Sequence, residues 1–351
     1  MNAALASFGL PTFFAGVIVL ALNVYVLMGG ADFGGGVWDL FARGPRREQQ
    51  RELIADAIGP IWEANHVWLI VVVVLTFTAF PPAYALLGTV LHIPLALLLV
   101  GIVMRGSAFV FRSYGSRTWG QRRRWGHLFA VASTLTPVLL GVCIGAIATG
   151  DVGAAAIAAA TGREGFQAVY VAPWLAPFPL MVGALALALF AFLAAVYLTL
   201  ETPDPALQDD FRRRALIAAA AVFLTAFGAL ALVHREAPMM RTGLLTSPWA
   251  LPFQIATGVA AVSAIWALIT RRYRVARLAA AAQVSLILWG WAAAQFPYLV
   301  PPTLTIDGAA APRITLQLVA GALGAGALLL VPSLVYLRRT FAVRRRETTR
   351  R

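Results

Sequence analysis

The chain has 351 residues, 60% of them hydrophobic and only 12% charged, with a formal net charge of +13. Soluble domains carry about 25% charged residues, so a soluble globular protein is excluded. The mean hydropathy of +0.78 and apolar stretches of about 20 residues from end to end, the length that crosses a bilayer core, describe a polytopic membrane protein.

All 28 basic residues are arginine. They fall in short clusters between apolar spans, not on one soluble face, so the charge reads as membrane orientation and no nucleic-acid partner is expected. Cys143, alone in an apolar run, excludes a disulfide framework and a thiolate metal cage, and reads as small core filler.

Nine spans are predicted, at 11–38, 58–80, 83–111, 127–149, 174–200, 215–234, 249–270, 276–296 and 314–337. The N-terminus, "MNAALASFGLPTFF", lacks a basic n-region and a small-residue cleavage site, so the first span is expected to be retained. Within it, "GGADFGGGVWDL" (29–40) looks like a phosphate loop. It follows a membrane helix and precedes no strand-helix unit, so the dinucleotide reading fails. Its glycines are expected to let helices approach around Asp32, with a break in the span. The second span opens with "IGPIWEANHVWLI", and the third carries His92 and Arg105. "FTAFPPAY" closes the second span and "AAQFPYLVP" the eighth, a faint internal repeat. Small-residue runs such as "GVAAVSAIWA" and "GALGAGALLL" are expected where membrane helices pack backbone to backbone.

The loops alternate in arginine content. Odd-numbered loops and the C-terminus hold 23 arginines, even-numbered loops hold 4, and Arg105 sits within a span. Arginine is retained on the cytoplasmic side, which predicts an outer N-terminus, a cytoplasmic C-terminus and an odd number of spans.

An ionisable group at the centre of a membrane helix costs at least about 2.5–3.5 kcal/mol, so Asp32, Glu63, His66 and Arg105 each ask for a partner or a task. At 1.5 Å per residue, Asp32 lies roughly 13 Å from the inner boundary, Glu63 roughly 8 Å and Arg105 roughly 10 Å. Three spans thus bring two acids and an arginine to similar depth in the cytoplasmic half. Such a cluster suits proton handling, because burial and a neighbouring guanidinium push a carboxyl in opposite directions. Asn65 is placed to orient the acid or hold a water. The other reading is an ion pair between Glu63 and Arg105 that locks spans two and three together.

Two metal readings remain. "E-x-x-H" at 63–66 is half of a di-iron carboxylate motif, but there is no second copy and too few further glutamates. Haem ligation by His66 and His92, on neighbouring spans at similar depth, stays open; His127 and His234 sit at span ends. No metal site is assigned.

"GADFGGGVWDLF", the arginine-rich loop, "IGPIWEANHVWLIVVVVLTFTAFPPAYA" and Arg105 together resemble subunit II of the cytochrome bd-type quinol oxidases. The specific core is Trp62, Glu63, Asn65, Val67 and Trp68, and "FPYLVPPTLTIDGAAAPRITLQL" is similar to the family's last inter-span segment. The resemblance covers essentially the whole chain. It implies an all-α polytopic membrane protein, a single membrane domain over 1–351. Two four-helix bundles (11–149 and 174–296) would be followed by a peripheral ninth helix (314–337) and a basic cytoplasmic tail (338–351).

The resemblance also implies a bacterial cytoplasmic membrane location and a haem-bearing partner, subunit I, with haem b and haem d, which oxidises quinol and reduces dioxygen to water. This chain would bind no haem and have no catalytic residue of its own; some members add a structural quinone or a small accessory transmembrane subunit. Glu63 and Arg105 would join the proton path, with Asp32, Asn65 and His66 beside them, and Trp62 and Trp68 would stand near the mouth of an oxygen route. Many members have aspartate at the position of Glu63, an extra acid where this chain has Gly29 and Gly30, and glutamate or glutamine in place of His66. These departures point to a divergent branch, of which the cyanide-insensitive type is one. The competing class is a secondary transporter built from repeated bundles, which gathers polar groups near the midplane.

Overall fold

The computed structural model describes residues 9–59, 62–115, 118–162 and 164–348. Arg117 and Arg163 of the orientation count, and the last three residues of the tail, lie outside the described residues.

The first span is one unbroken helix, α1 (Leu10–Leu40), so the expected break is absent. Its glycines serve close approach instead. A Cβ on Gly34 would collide with the carbonyl oxygen of Phe190, and one on Gly36 with the side chain of Ser133. Glycine costs a helix interior about 1 kcal/mol relative to alanine, which backbone-to-backbone packing offsets.

The first connecting loop contains a helix, α2 (Arg47–Ile58). Its buried residues Gln50, Ile54 and Ile58 recur every fourth position, the stripe of an amphipathic helix. Ile54 and Ile58 meet α1 at Gly35. The second span is α3 (Trp62–Ala79). The third divides at Leu91 into α4 (Pro81–Val90) and α5 (His92–Val110). Pro94 explains the division: it has no N–H to offer the carbonyl of Val90, but is tolerated in the first turn of a new helix. A single π-helical turn, Phe111–Gly115, ends α5.

The fourth span is α6 (Trp119–Thr149). The following connection, expected as loop, holds the short helices α7 (Asp151–Thr161) and α8 (Phe166–Tyr170). Then come α9 (Pro177–Glu201), α10 (Pro205–Glu236), a short α11 (Pro238–Leu245), α12 (Ala250–Ile269) and α13 (Tyr273–Gln295).

The next segment adds an antiparallel hairpin, β1 (Tyr298–Val300) and β2 (Leu304–Thr305), that an all-helical expectation did not include. Thr303 and Pro301 in its turn press on Gly153 of α7, and Ala311 N–H donates to the Ala79 carbonyl at 2.8 Å. The hairpin segment therefore ties the end of α13 back to the ends of α3 and α6. The last helix, α14 (Arg313–Thr348), covers the ninth predicted span and continues into the basic tail.

Among the described residues eight helices are long and apolar enough to cross a membrane: α1, α3, α5, α6, α9, α10, α12 and α13. The apolar stretch of α14 is shorter, Arg313–Leu329. The chain is thus an α-helical polytopic membrane protein. Helix α9 is its most shared element, packing against α1, α6, α10 and α13. Phe190, Phe192, Leu193 and Val196 of α9 are buried with Phe33, Phe129, Phe211 and Val284 from those four neighbours. Close approach of α6 and α9 rests on a reciprocal pair, Gly141 against the carbonyl of Val182 and Gly183 against that of Val138. The outward faces stay apolar: Leu278 is 73% exposed and Leu224 69%, as lipid contact requires.

Candidate functional site

Among the described residues only three charged side chains are fully buried: Asp32 and Asp39 on α1 and Arg105 on α5. Asn65, on α3, is also buried and donates from Nδ2 to Asp32 Oδ2 at 2.7 Å. The Arg105 guanidinium lies over the ring of Phe33 at 4.6 Å and near that of Phe129 at 5.6 Å. It interacts electrostatically with Asp32 and Tyr25, while none of the ion pairs among the described residues includes it.

Glu63 behaves differently from the expectation of an acid beside Arg105. It is exposed on the opposite side of α3, and no ion pair joins it to Arg105 among the described residues. Residues 63 and 65 are separated by about 200° around a helix of 3.6 residues per turn, so Asn65 inside forces Glu63 outside. Rise per residue sets a side chain's height along the helix and says nothing of its azimuth.

Around Asp32, several buried polar atoms have no hydrogen-bond partner among the described residues: Tyr25 Oη, Asn65 Oδ1, His66 Nε2, Arg105 Nε and Nη2, and Ser133 Oγ. Each such atom costs about 1–3 kcal/mol if left unmatched, and native interiors carry few. Buried groups of this kind are served by ordered water with two to four polar contacts. Helix α6 contributes further polarity here, because Pro137 has no N–H for the carbonyl of Ser133. Inside a hydrocarbon-facing bundle, this is a polar chamber built around one carboxyl and one guanidinium.

His66 stands at the edge of that chamber. Its ring meets Tyr25, Phe33 and Trp62, and its Nδ1 lies 2.9 Å from the Trp62 carbonyl. A carbonyl only accepts, so Nδ1 carries the hydrogen and Nε2 of the neutral ring is left with a free lone pair. On its other side His66 lines, with Trp62, Glu63, Val103 and Gly106, an open groove of about 520 Å³ between α3 and α5. His66 is therefore the residue shared by the chamber that holds Asp32 and the groove that holds Glu63.

Haem ligation by the two histidines does not fit. His92 packs on Tyr170 of α8 and bonds to the Thr89 carbonyl, whereas His66 sits among Tyr25, Phe33 and Trp62, so no common ligand position lies between them. Among the described residues no group of three or more His, Cys, Asp or Glu is placed to hold a metal ion. Trp62 is half-buried against Phe109 and Gly106; Trp68 is half-buried against the central core.

Four residues of this region escaped sequence reasoning. Tyr25 lies seven residues before Asp32 and Asp39 seven after it, two helical turns either way, so helical register alone pointed to them. Phe129 and Ser133 carry no local signal, because only the packing of α6 on α1 and α5 brings them in. Asp39 is held by Arg112 at 3.0 Å and approached by Arg51 at 3.8 Å, which closes the end of α1 below the chamber.

The family model for cytochrome bd terminal oxidase subunit II matches residues 10–341. A Bacillus subtilis protein described as cytochrome bd ubiquinol oxidase subunit 2 is 34% identical over 128 residues, 36% of this chain and 37% of that protein. The Escherichia coli K12 cytochrome bd-I ubiquinol oxidase subunit 2 is 28% identical over 127 residues, 36% of this chain and 32% of its own length. The chain thus spans about a third of the length of these relatives in each match. A chain of the bd oxidase structure from Geobacillus thermodenitrificans superposes with a TM-score of 0.77 at 22% identity, covering 95% of this chain and 98% of that one. That likeness establishes the fold.

Proposed function

Because the chain belongs to the cytochrome bd terminal oxidase subunit II family, we propose that it is the haem-free second subunit of a quinol:oxygen oxidoreductase in the bacterial cytoplasmic membrane. Its partner, subunit I, carries haem b and haem d and performs quinol oxidation and oxygen reduction. This chain supports that subunit and supplies part of the cytoplasmic proton path. The proposal includes nine spans with the N-terminus outside and the C-terminus cytoplasmic, arranged as bundles over 11–149 and 174–296 with α14 at the periphery. The arginine alternation supports this orientation.

One observation carries the proton role: a buried carboxyl, a buried guanidinium and a set of unpaired polar atoms meet inside a membrane bundle. Asp32 takes up and releases the proton, with Asn65 Nδ2 holding one carboxylate oxygen in place. Arg105 stabilises the ionised form without a direct ion pair, so the carboxyl is not locked. The free Nε2 of His66 accepts the next transfer, and Glu63 in the groove hands the proton toward the partner subunit. Trp62 and Trp68 flank this region, consistent with a nearby oxygen route. A structural quinone and a small accessory subunit remain part of the proposal as features of some family members.

Two measurements test it. A reduced-minus-oxidised spectrum of the chain purified with its native partners should show haem b and haem d bands; a spectrum without either overturns the oxidase assignment. Glu63→Gln should impair oxygen consumption while the haem bands stay largely intact. Undiminished turnover would remove Glu63 from the path.

A further inference from the structure

A second cavity, of about 1070 Å³, opens at the end of the bundle where α1 and α5 finish and α2 and α6 begin. Six arginines line it against three acids, Asp39, Glu48 and Glu52. Asp39 is already taken by Arg112 and Arg51, and Glu48 lies 3.9 Å from Arg51. Arg47, Arg122, Arg123 and Arg124 are exposed and have no acidic partner among the described residues. Arg122 alone is engaged, weakly, through Nε on the Arg112 carbonyl at 3.5 Å.

The same side of the molecule offers a contrast. Arg46 grips Asp210 with two hydrogen bonds, and Arg212 and Arg271 share Asp209. There the cations are neutralised within the chain; around the cavity they are not. Three consecutive arginines, Arg122 to Arg124, follow in the second turn of α6 and crowd like charge onto one short stretch of the cavity wall. Apolar residues, Leu40, Ala55 and Ala130, complete the cavity wall. An unneutralised guanidinium cluster with an apolar wall at a helix-end boundary suits a ligand with a multiply accepting anionic head.

We propose that this cavity binds a phosphate group at the inner membrane surface, carried either by an anionic phospholipid headgroup or by a soluble phosphate. The inference rests on the proposed orientation, in which the cavity faces the cytoplasm. Its test is read without turnover, so its failure is separable from failure of the oxidase assignment.

The complex, purified with its native partners, is exchanged into detergent with phosphatidylglycerol or phosphatidylcholine, and retained lipid is counted by native mass spectrometry. Wild type should keep phosphatidylglycerol over phosphatidylcholine. The triple variant R122Q/R123Q/R124Q should retain it about 100-fold less tightly, the loss expected for removing three charges near a lipid surface. R272Q/R274Q, on the same side but away from the cavity, should bind as wild type does. A second pair, R47Q/R123Q, takes one cation from each of two elements and serves if the triple variant misfolds. In lipid-free detergent, millimolar inorganic phosphate that raises the Tm of wild type but not of the variants identifies a soluble ligand. Selective lipid retention without a phosphate effect identifies the headgroup. Equal binding by wild type and cavity variants, or equal loss in cavity and control variants, overturns the site.

Discussion

Helices α1, α3, α5 and α6 differ from α10, α12 and α13 in where they put charge. In the first group Asp32, Asp39 and Arg105 are buried; Asp39 is held by Arg112, while Asp32 and Arg105 sit beside polar atoms without hydrogen-bond partners among the described residues. In the second the buried polar side chains are uncharged, such as Gln283 and Gln295, and the outward faces are alkyl and aromatic. Its ion pairs, such as Arg212 with Asp209, lie at helix ends where water reaches. A membrane helix pair needs only close packing to be stable. Under the proposed function, charge carried inside at such cost marks the half that moves protons, and the other half braces it.

The sharpest way to break this contrast is Arg105→Met. Removing one member of a buried charged set leaves the other uncompensated and typically costs about 3–5 kcal/mol. Thermal unfolding of the purified complex should show a large loss, with Asp32→Asn in the same chain restoring part of it. No restoration would mean the two residues are not coupled.

Next is Asp32→Asn alone, which keeps the shape but removes the ionisable proton. Oxygen consumption should fall by about 10²-fold or more, the low end for a lost proton-transfer group, while Gln283→Leu in the bracing half leaves turnover within twofold or so of wild type. Similar losses from both would erase the division of labour.

A smaller effect is expected from Gly34→Ala. The added methyl meets the Phe190 carbonyl across the α1–α9 contact, and overpacking of this kind costs about 1–3 kcal/mol. An unchanged Tm would show that the two helices separate freely. Smallest of all, a double-mutant cycle on Arg212 and Asp209 should return about 0.2–0.5 kcal/mol, as for other pairs spaced three residues apart on a helix. A coupling as large as that of Arg105 would place structural charge in the wrong half.

Much of this architecture was legible because hydropathy and arginine counts report membrane burial directly. Height along the helices was legible in part: about 1.5 Å per residue places Asp32, Glu63 and Arg105 at similar depth, and the Asn65–Asp32 hydrogen bond joins α1 and α3 two residues beyond Glu63. Height alone groups Glu63 with residues it faces away from; the turn of about 100° per residue separates it from the face of Asn65. Helix α2 escaped because nine of its twelve residues are not buried, and averaged hydropathy hides a stripe as narrow as Gln50, Ile54 and Ile58. The division of the third span was written in Pro94. Phe129 and Ser133 were beyond reach, since their role arises only from how α6 crosses its neighbours.

The ring of Phe33 touches three unlike things: the Arg105 cation, the His66 imidazole and the Phe190 phenyl of α9. Residue 190 thereby helps to set the tilt of a ring that carries a cation, although it bears no charge and sits on another helix. Exchanging Phe190 for a smaller side chain should loosen more than packing. Substitutions at 33 and 190 are expected to be tolerated in matched pairs and resisted singly, so that the shared helix α9 holds a vote in how the charged half is tuned.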